Sequence, residues 1–183
     1  MFLVTKQFTV ISLLLLLHTP LQADELQLPA HLLKTANFTK TKQTLLGAVE
    51  TLTLSEGGLL MDARIDTGAE LSSLDAREIR EFKKDGEKWV NFQIIDRQSG
   101  VKKKLSLPIK NHVKIKRHAQ KSQCRPVVCM GISLGEDTNK TLFTLTDRRN
   151  FEHPILLGRS YLHGKAIVDV SHNYLLKSSS PFN

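Results

Sequence analysis

The stretch Ala63-Arg64-Ile65-Asp66-Thr67-Gly68-Ala69-Glu70 carries an alternating apolar run onto an aspartate and then into a glycine turn. With Leu59-Leu60-Met61-Asp62 ahead of it, Met61, Ala63 and Ile65 share one face of a strand, and Asp62 and Arg64 share the other. A strand therefore delivers Asp66 to a turn, Thr67 sets a hydroxyl beside it, and Gly68 permits close backbone approach. By itself Asp-Thr-Gly is a weak signal and reads first as an ordinary turn closing a strand.

Working outward, the pattern is one of many short strands. Val49–Leu54 alternates, Glu56-Gly57-Gly58 is a turn, and Lys88–Ile95 and Val101–Ile109 form a hairpin across Ser99-Gly100. Val113–Ile115 and Val127–Met130 predict a second hairpin with a polar tip from Arg117 to Gln123. Ile132–Leu134 and Leu142–Thr146 read as strands around a loop from Gly135 to Lys140. Ser73–Lys84, with Leu74, Arg77, Ile79 and Phe82 at partial helical spacing, reads as a short helix. Near the end come the apolar run Pro154–Leu157, one helical turn over Ser160–His163, and a buried strand over Ala166–Val170. Turn signals every 8–12 residues or so predict an all-β barrel or sandwich.

The second informative segment lies about ninety residues after the first: Pro154-Ile-Leu-Leu-Gly158-Arg159-Ser160-Tyr161-Leu162. Hydrophobic-hydrophobic-Asp-Thr-Gly-Ala followed by Ile-Leu-Leu-Gly-Arg-x-x-Leu resembles the retropepsin family of aspartic proteases. Phe143–Arg148 through Val168-Asp-Val170 is similar to a bacterial branch of it, often labelled ATP-dependent zinc proteases, which includes a factor encoded beside a ribosomal-protein glutamate ligase. The resemblance spans residues 46–177. It implies a closed acid-protease barrel with one short helix after Gly158-Arg159, and Asp66 as catalytic aspartate. Thr67 then ties two active-site loops together across a dimer, and Gly68 and Ala69 line the cleft. Glu70 pairs with Arg159 in a bidentate contact. Aspartic peptidases need two carboxylates sharing a proton. One Asp-Thr-Gly per chain therefore implies a homodimer. A flap hairpin is also implied, and Val113–Val128 is the candidate, with Arg117, His118, Lys121 and Arg125 near its tip as substrate-binding residues. The Gly-rich tip of viral flaps is missing. The alternative is a peptide- or envelope-binding module on the same barrel, without turnover.

Composition sets the remaining bounds. The chain has 183 residues, 40% apolar and 24% charged, which fits one folded domain. Lys6 followed by the apolar run Phe8–Leu17, then Pro20 and Ala23, reads as a signal peptide over 1–23, too short to span a bilayer. Residues 24–45 then form a lead-in, 46–178 the barrel and 179–183 a tail. The expectation is a periplasmic or secreted protein with no stable membrane insertion after cleavage.

The formal charge is +8. Nine Lys or Arg residues fall between Lys102 and Arg125, and no acid occurs between Asp96 and Glu136. A basic stripe of this kind is either a solvated face or a surface for an acidic partner such as an acidic peptide. No nucleic-acid motif accompanies it, so nucleic acid is not expected. The seven histidines show no metal-ligand spacing and no phosphate loop is present, so neither metal nor cofactor is expected. Cys124 and Cys129 read as free thiols in an extended segment, unless a turn at Arg125-Pro126 brings them together.

Overall fold

The computed structural model describes residues 43–117 and 120–176, with the backbone alone for residues 116, 117, 120 and 121. The segments read as signal peptide and tail, and all but the end of the lead-in, lie outside the described residues. The described elements are twelve strands and one helix: β1 (Thr44–Gly47), β2 (Val49–Leu54), β3 (Leu59–Ile65), β4 (Ser72–Asp75), β5 (Arg77–Lys84), β6 (Glu87–Ile95), β7 (Lys102–Pro108), β8 (Asn111–Arg117), β9 (Gln120–Leu134), β10 (Asp137–Thr146), β11 (Ile155–Leu157), α1 (Arg159–Leu162) and β12 (Ala166–Asp169).

Alternating side chains close six of these strands on themselves. The ring runs β10-β4-β11-β3-β2-β9, and β9 pairs back onto β10 from Val127↔Thr144 to Leu134↔Asp137. Closure leaves no bare edge on this ring. Met61, Ala63 and Ile65 point inward, as their alternation predicts, and meet Leu52, Leu74, Met130, Phe143, Leu145 and Ile155, all buried. The expectation of an all-β closed barrel with one short helix after Gly158-Arg159 is met.

β9 is long enough for two tasks. Its second half is a barrel stave, and its first half leaves the barrel paired with β8, from Asn111↔Val127 to Arg117↔Gln120. β5, β6 and β7 form a separate antiparallel sheet, whose Val90, Phe92 and Ile94 are buried in the same core. Cys124 and Cys129 both lie in β9 and both are free thiols.

Three expectations are corrected. Residues 73–84 are not a helix but β4 and the strand β5 after it. Leu74 is wanted inside the barrel, where β4 pairs parallel with β10 and antiparallel with β11. That pairing outweighs the partial helical spacing, and a bulge between Arg77 and Arg80, with Glu78 at φ 51°, adjusts the register. The last strand is not fully buried either. β12 pairs only with β1, and Ile167 is 55% exposed on its outer face. The loop from Gly135 is also shorter than expected, because β10 begins at Asp137.

Two buried acids act as clasps. Glu50 on β2 is fully buried and accepts the backbone N–H groups of Gly47 (2.6 Å), Leu175 (3.0 Å) and Leu176 (3.1 Å), which fixes the last described residues against the barrel. Asp75, 3% exposed, ends β4. It accepts the Arg148 N–H at 2.7 Å on one oxygen, and Arg77 (2.9 Å) and Arg97 (2.8 Å) on the other. Arg97 also donates to the carbonyls of Arg148 and Phe151, so this network pins the three-stranded sheet to the turn after β10.

Replacing Glu50 by Ala orphans three N–H groups and is expected to cost about 2–4 kcal/mol. Urea melts would show it as a lower midpoint, and hydrogen exchange should accelerate at Leu175 and Leu176. Asp147 gives a pH test. The hydrogen bond from Arg149, aided by the charge of Arg77, lowers its carboxyl from 3.8 to about 2. The resulting stabilisation is present above the ordinary value and is lost as pH falls towards 2, and solvent keeps it small. Thermal melts of Asp147→Asn are expected to depend less on pH across this window than those of the unaltered protein.

Candidate active site

Asp66 leaves β3 as the strand ends, and its own N–H is held by the carbonyl of Leu157 at 2.9 Å, across the parallel β3–β11 pair. Its Oδ1 accepts the N–H groups of Gly68 (2.9 Å) and Ala69 (3.1 Å). This fold-back fixes the carboxylate plane and leaves Oδ2 without a hydrogen bond from the described residues. A side chain at Gly68 would start 3.2 Å from Oδ1, so glycine lets the loop wrap this closely. Asp66 is part-exposed, and Thr67 and Gly68 are exposed.

The loop is held from behind by the start of α1. Arg159 donates its backbone N–H to the carbonyl of Ala69 (2.9 Å), and Ser160 donates to that of Glu70 (2.9 Å). The Arg159 guanidinium donates through Nη1 to the carbonyls of Thr67 (3.1 Å) and Gly68 (2.7 Å). The predicted bidentate Glu70–Arg159 contact is therefore absent: the guanidinium goes to main-chain oxygens and the Glu70 side chain is exposed. The two motifs do meet, but through the backbone of Glu70. Gly158 is the hinge of this junction. A Cβ there would fall 2.7 Å from the carbonyl oxygen of Leu71 and 3.0 Å from that of Ala69, both main-chain atoms that cannot swing away.

Between this loop and the β8–β9 hairpin lies a cleft of about 390 Å³. Val113 and Ile115 line it from the hairpin, Leu156 from below, and Arg125 and Arg148 from the side. Arg125 thus stands in the cleft wall. The side chains of Arg117 and Lys121 are not described, and His118 lies outside the described residues. Arg148 was not singled out as a site residue in the sequence, although it closes the Phe143–Arg148 stretch that carries part of the family resemblance. It lies two residues past the end of β10.

The zinc label attached to the bacterial branch can be tested on the histidines. His112 contacts Glu81 (3.0 Å), His153 lies near Glu152 (3.7 Å), and His172 contacts Asp169 (2.9 Å), three separate places in the fold. Among the described residues no cluster of three or more His, Cys, Asp or Glu side chains could hold a metal. A zinc site built from three protein ligands does not fit this donor arrangement.

Residues 45–179 match the RimB-like family, described as the retropepsin-like aspartic endopeptidase RimB. The chain belongs to this family. The sequence is also similar to proteins named probable alpha-L-glutamate ligase. One from Shewanella pealeana is 35% identical over 62% of this chain, and one from Desulfotalea psychrophila is 31% identical over 68%. The matched regions make up only 25% and 28% of those proteins, so the chain spans about a quarter of their length. Among solved structures, a Legionella pneumophila protein of unknown function aligns with a TM-score of 0.64 and 31% identity, over 73% of this chain and 98% of that one.

Gly158→Ala is expected to destabilise the protein by about 1–3 kcal/mol by pushing α1 off the loop. Guanidinium melts would measure that cost, and a melting profile equal to the parent's would refute the close-approach argument.

Proposed function

We infer that the protein is an exported aspartic endopeptidase, active as a homodimer in which the Asp66 carboxylates of two copies form one catalytic dyad. The observation that carries this reading is the Asp66 loop: one oxygen locked by two backbone N–H groups, the other without a hydrogen bond from the described residues, on a turn whose Thr67 and Gly68 face solvent. Two such carboxylates brought together share a proton. One draws a proton from water as it attacks, and the other donates to the scissile carbonyl oxygen. The locked loop matters because the donors need no reorganisation during the reaction.

Pairing of two copies has a second support. Leu45 and Ile167 are cross-strand partners on the β1–β12 sheet and are 50% and 55% exposed, side by side. An apolar pair on a two-stranded sheet is the kind of surface a second copy covers. The β8–β9 hairpin then serves as the flap over the cleft. The substrate is a peptide, with acidic peptides favoured on two grounds: the nine basic residues between Lys102 and Arg125, and glutamate in the names of the relatives. The ligase activity itself is not carried over, because about three quarters of each of those proteins has no counterpart in the matched region. The N-terminal apolar run supports export.

The deciding experiment is cleavage of a diverse peptide mixture by the protein and by Asp66→Asn, from acid to neutral pH, with sedimentation to establish the dimer. The parent is expected to cut with a bell-shaped pH profile, and Asp66→Asn to lose about 10³-fold or more. Equal cutting by both would remove Asp66 from the mechanism. Folded dimers that never cut would favour a binding module.

A further inference from the structure

We propose that the outer face of the β5–β6–β7 sheet is a docking surface for an anionic lipid bilayer, on which Arg80, Lys102 and Lys104 meet phosphate headgroups. The choice of a bilayer as occupant rests on the export reading above; the charge argument stands on the sheet alone.

The basic stripe of the sequence does not stay together in the fold. Lys114 and Arg125 stand at the cleft, but Lys102, Lys103 and Lys104 lie on β7, and no residue of β7 lines that cleft. Strand alternation then divides the sheet into two faces. Val90, Phe92 and Ile94 of β6 are buried on one side. The opposite side carries rows set by cross-strand pairing: Arg80↔Asn91↔Ser106, Arg77↔Gln93↔Lys104 and Ile95↔Lys102. Arg77 is taken up by Asp75 and Asp147. Arg80, Lys102 and Lys104 are exposed, and among the described residues none of these three side chains has an ion-pair or hydrogen-bond partner.

This face also has a hollow of about 380 Å³, lined by Arg80, Asn91, Lys104 and Ser106, with Glu78 the one acid in its lining. Two cations, an amide and a hydroxyl around one hollow supply donors that phosphate oxygens accept. One end of the same face is aromatic. Phe82 and Trp89 are part-exposed cross-strand partners, and the Lys84 ammonium lies 4.9 Å from the Trp89 ring centroid. Lysine beside tryptophan suits the headgroup level of a bilayer, where one edge of the indole is wet and the rest apolar. Glu87, opposite Lys84, is the acid at this end. Charge complementarity calls for a polyanion. On the export reading the run Phe8–Leu17 carries the chain to a bilayer, so anionic headgroups are the polyanion within reach.

The test is flotation of the full protein with vesicles of phosphatidylcholine alone or of equal parts phosphatidylcholine and phosphatidylglycerol. The quantity read is the ratio of the two affinities, because an N-terminal apolar run binds both vesicles. Each basic residue near an anionic surface gives about fivefold in affinity. With Glu78 and Glu87 offsetting part of four such residues, the parent is expected to favour the anionic vesicle by about a hundredfold at low salt. High salt should remove most of that preference. Lys102→Gln with Lys104→Gln should cut the ratio at least about tenfold, and Arg80→Gln about fivefold. Lys114→Gln with Lys140→Gln removes equal charge from elsewhere and should leave the ratio unchanged. Circular dichroism checks that each variant is folded. A parent without preference, or equal loss in the two double variants, overturns the proposal: binding would then follow the apolar run or net charge rather than this face. Polyglutamate bound through Lys102 and Lys104, with no vesicle preference, would assign the face to an acidic peptide and overturn it equally. The assay involves no turnover, so its outcome is separate from whether Asp66 cuts.

Discussion

Four consecutive carbonyls, those of Thr67, Gly68, Ala69 and Glu70, all end on the first two residues of one short helix. Everything at the candidate site depends on that docking. A loop between two strands normally spends its main-chain oxygens on water and moves accordingly. Here Arg159 and Ser160 take them, Gly158 makes room for the approach, and Asp66 turns inward onto the N–H groups of Gly68 and Ala69. The loop's donors face one way, its acceptors the other, and what remains is the Asp66 oxygen that no described residue holds.

The docking in turn needs the barrel. β11 lies between β3 and β4, parallel to the first and antiparallel to the second, and it delivers Gly158 behind the strand that delivers Asp66. The hydrogen bond from the Asp66 N–H to Leu157 is the last rung of that pairing. Closure of β9 onto β10 keeps the six staves in register, because a one-residue slip would turn Met61, Ala63 and Ile65 outward. The acid clasps work at the margins of this ring: Glu50 holds the segment after β12, and Asp75 holds the three-stranded sheet.

Much of this was legible in the sequence, for a physical reason. Strand alternation is local, so β2, β3, β6 and the β8–β9 hairpin could be read directly, and two short motifs marked the two halves of the loop junction. What escaped depends on distant partners. β4 and β5 have the spacing of a weak helix, and only their neighbours in the barrel make them strands. Glu50 sits in Val-Glu-Thr-Leu, where alternation alone says nothing of the N–H groups that reach it from Leu175 and Leu176, 125 and 126 residues on. Arg148 was not read as a site residue because its burial is made by Asp75, Ser73 and Phe151 together. The Glu70–Arg159 pair failed for a related reason: the positions were right, but an arginine fork with two carbonyls at hand has no need of an exposed carboxylate.

The comparisons bear on how self-sufficient the barrel is. The fold accounts for nearly the whole of the Legionella pneumophila chain, and the matched sequence makes up about a quarter of the proteins named probable alpha-L-glutamate ligase. A unit found in both settings must close its own core, and the β9–β10 seam with the Glu50 clasp does that within residues 44–176. It does not complete its own chemistry on the aspartic reading. The core is finished inside one chain, while the loop that bears Asp66 presents Thr67 and Gly68 to solvent and offers a single carboxylate. On that reading, stability and catalysis draw on different surfaces. On the same reading, a substitution that leaves the barrel fully folded would still abolish activity by separating two copies, whereas one that unseats Arg159 from its carbonyls would strike both at once.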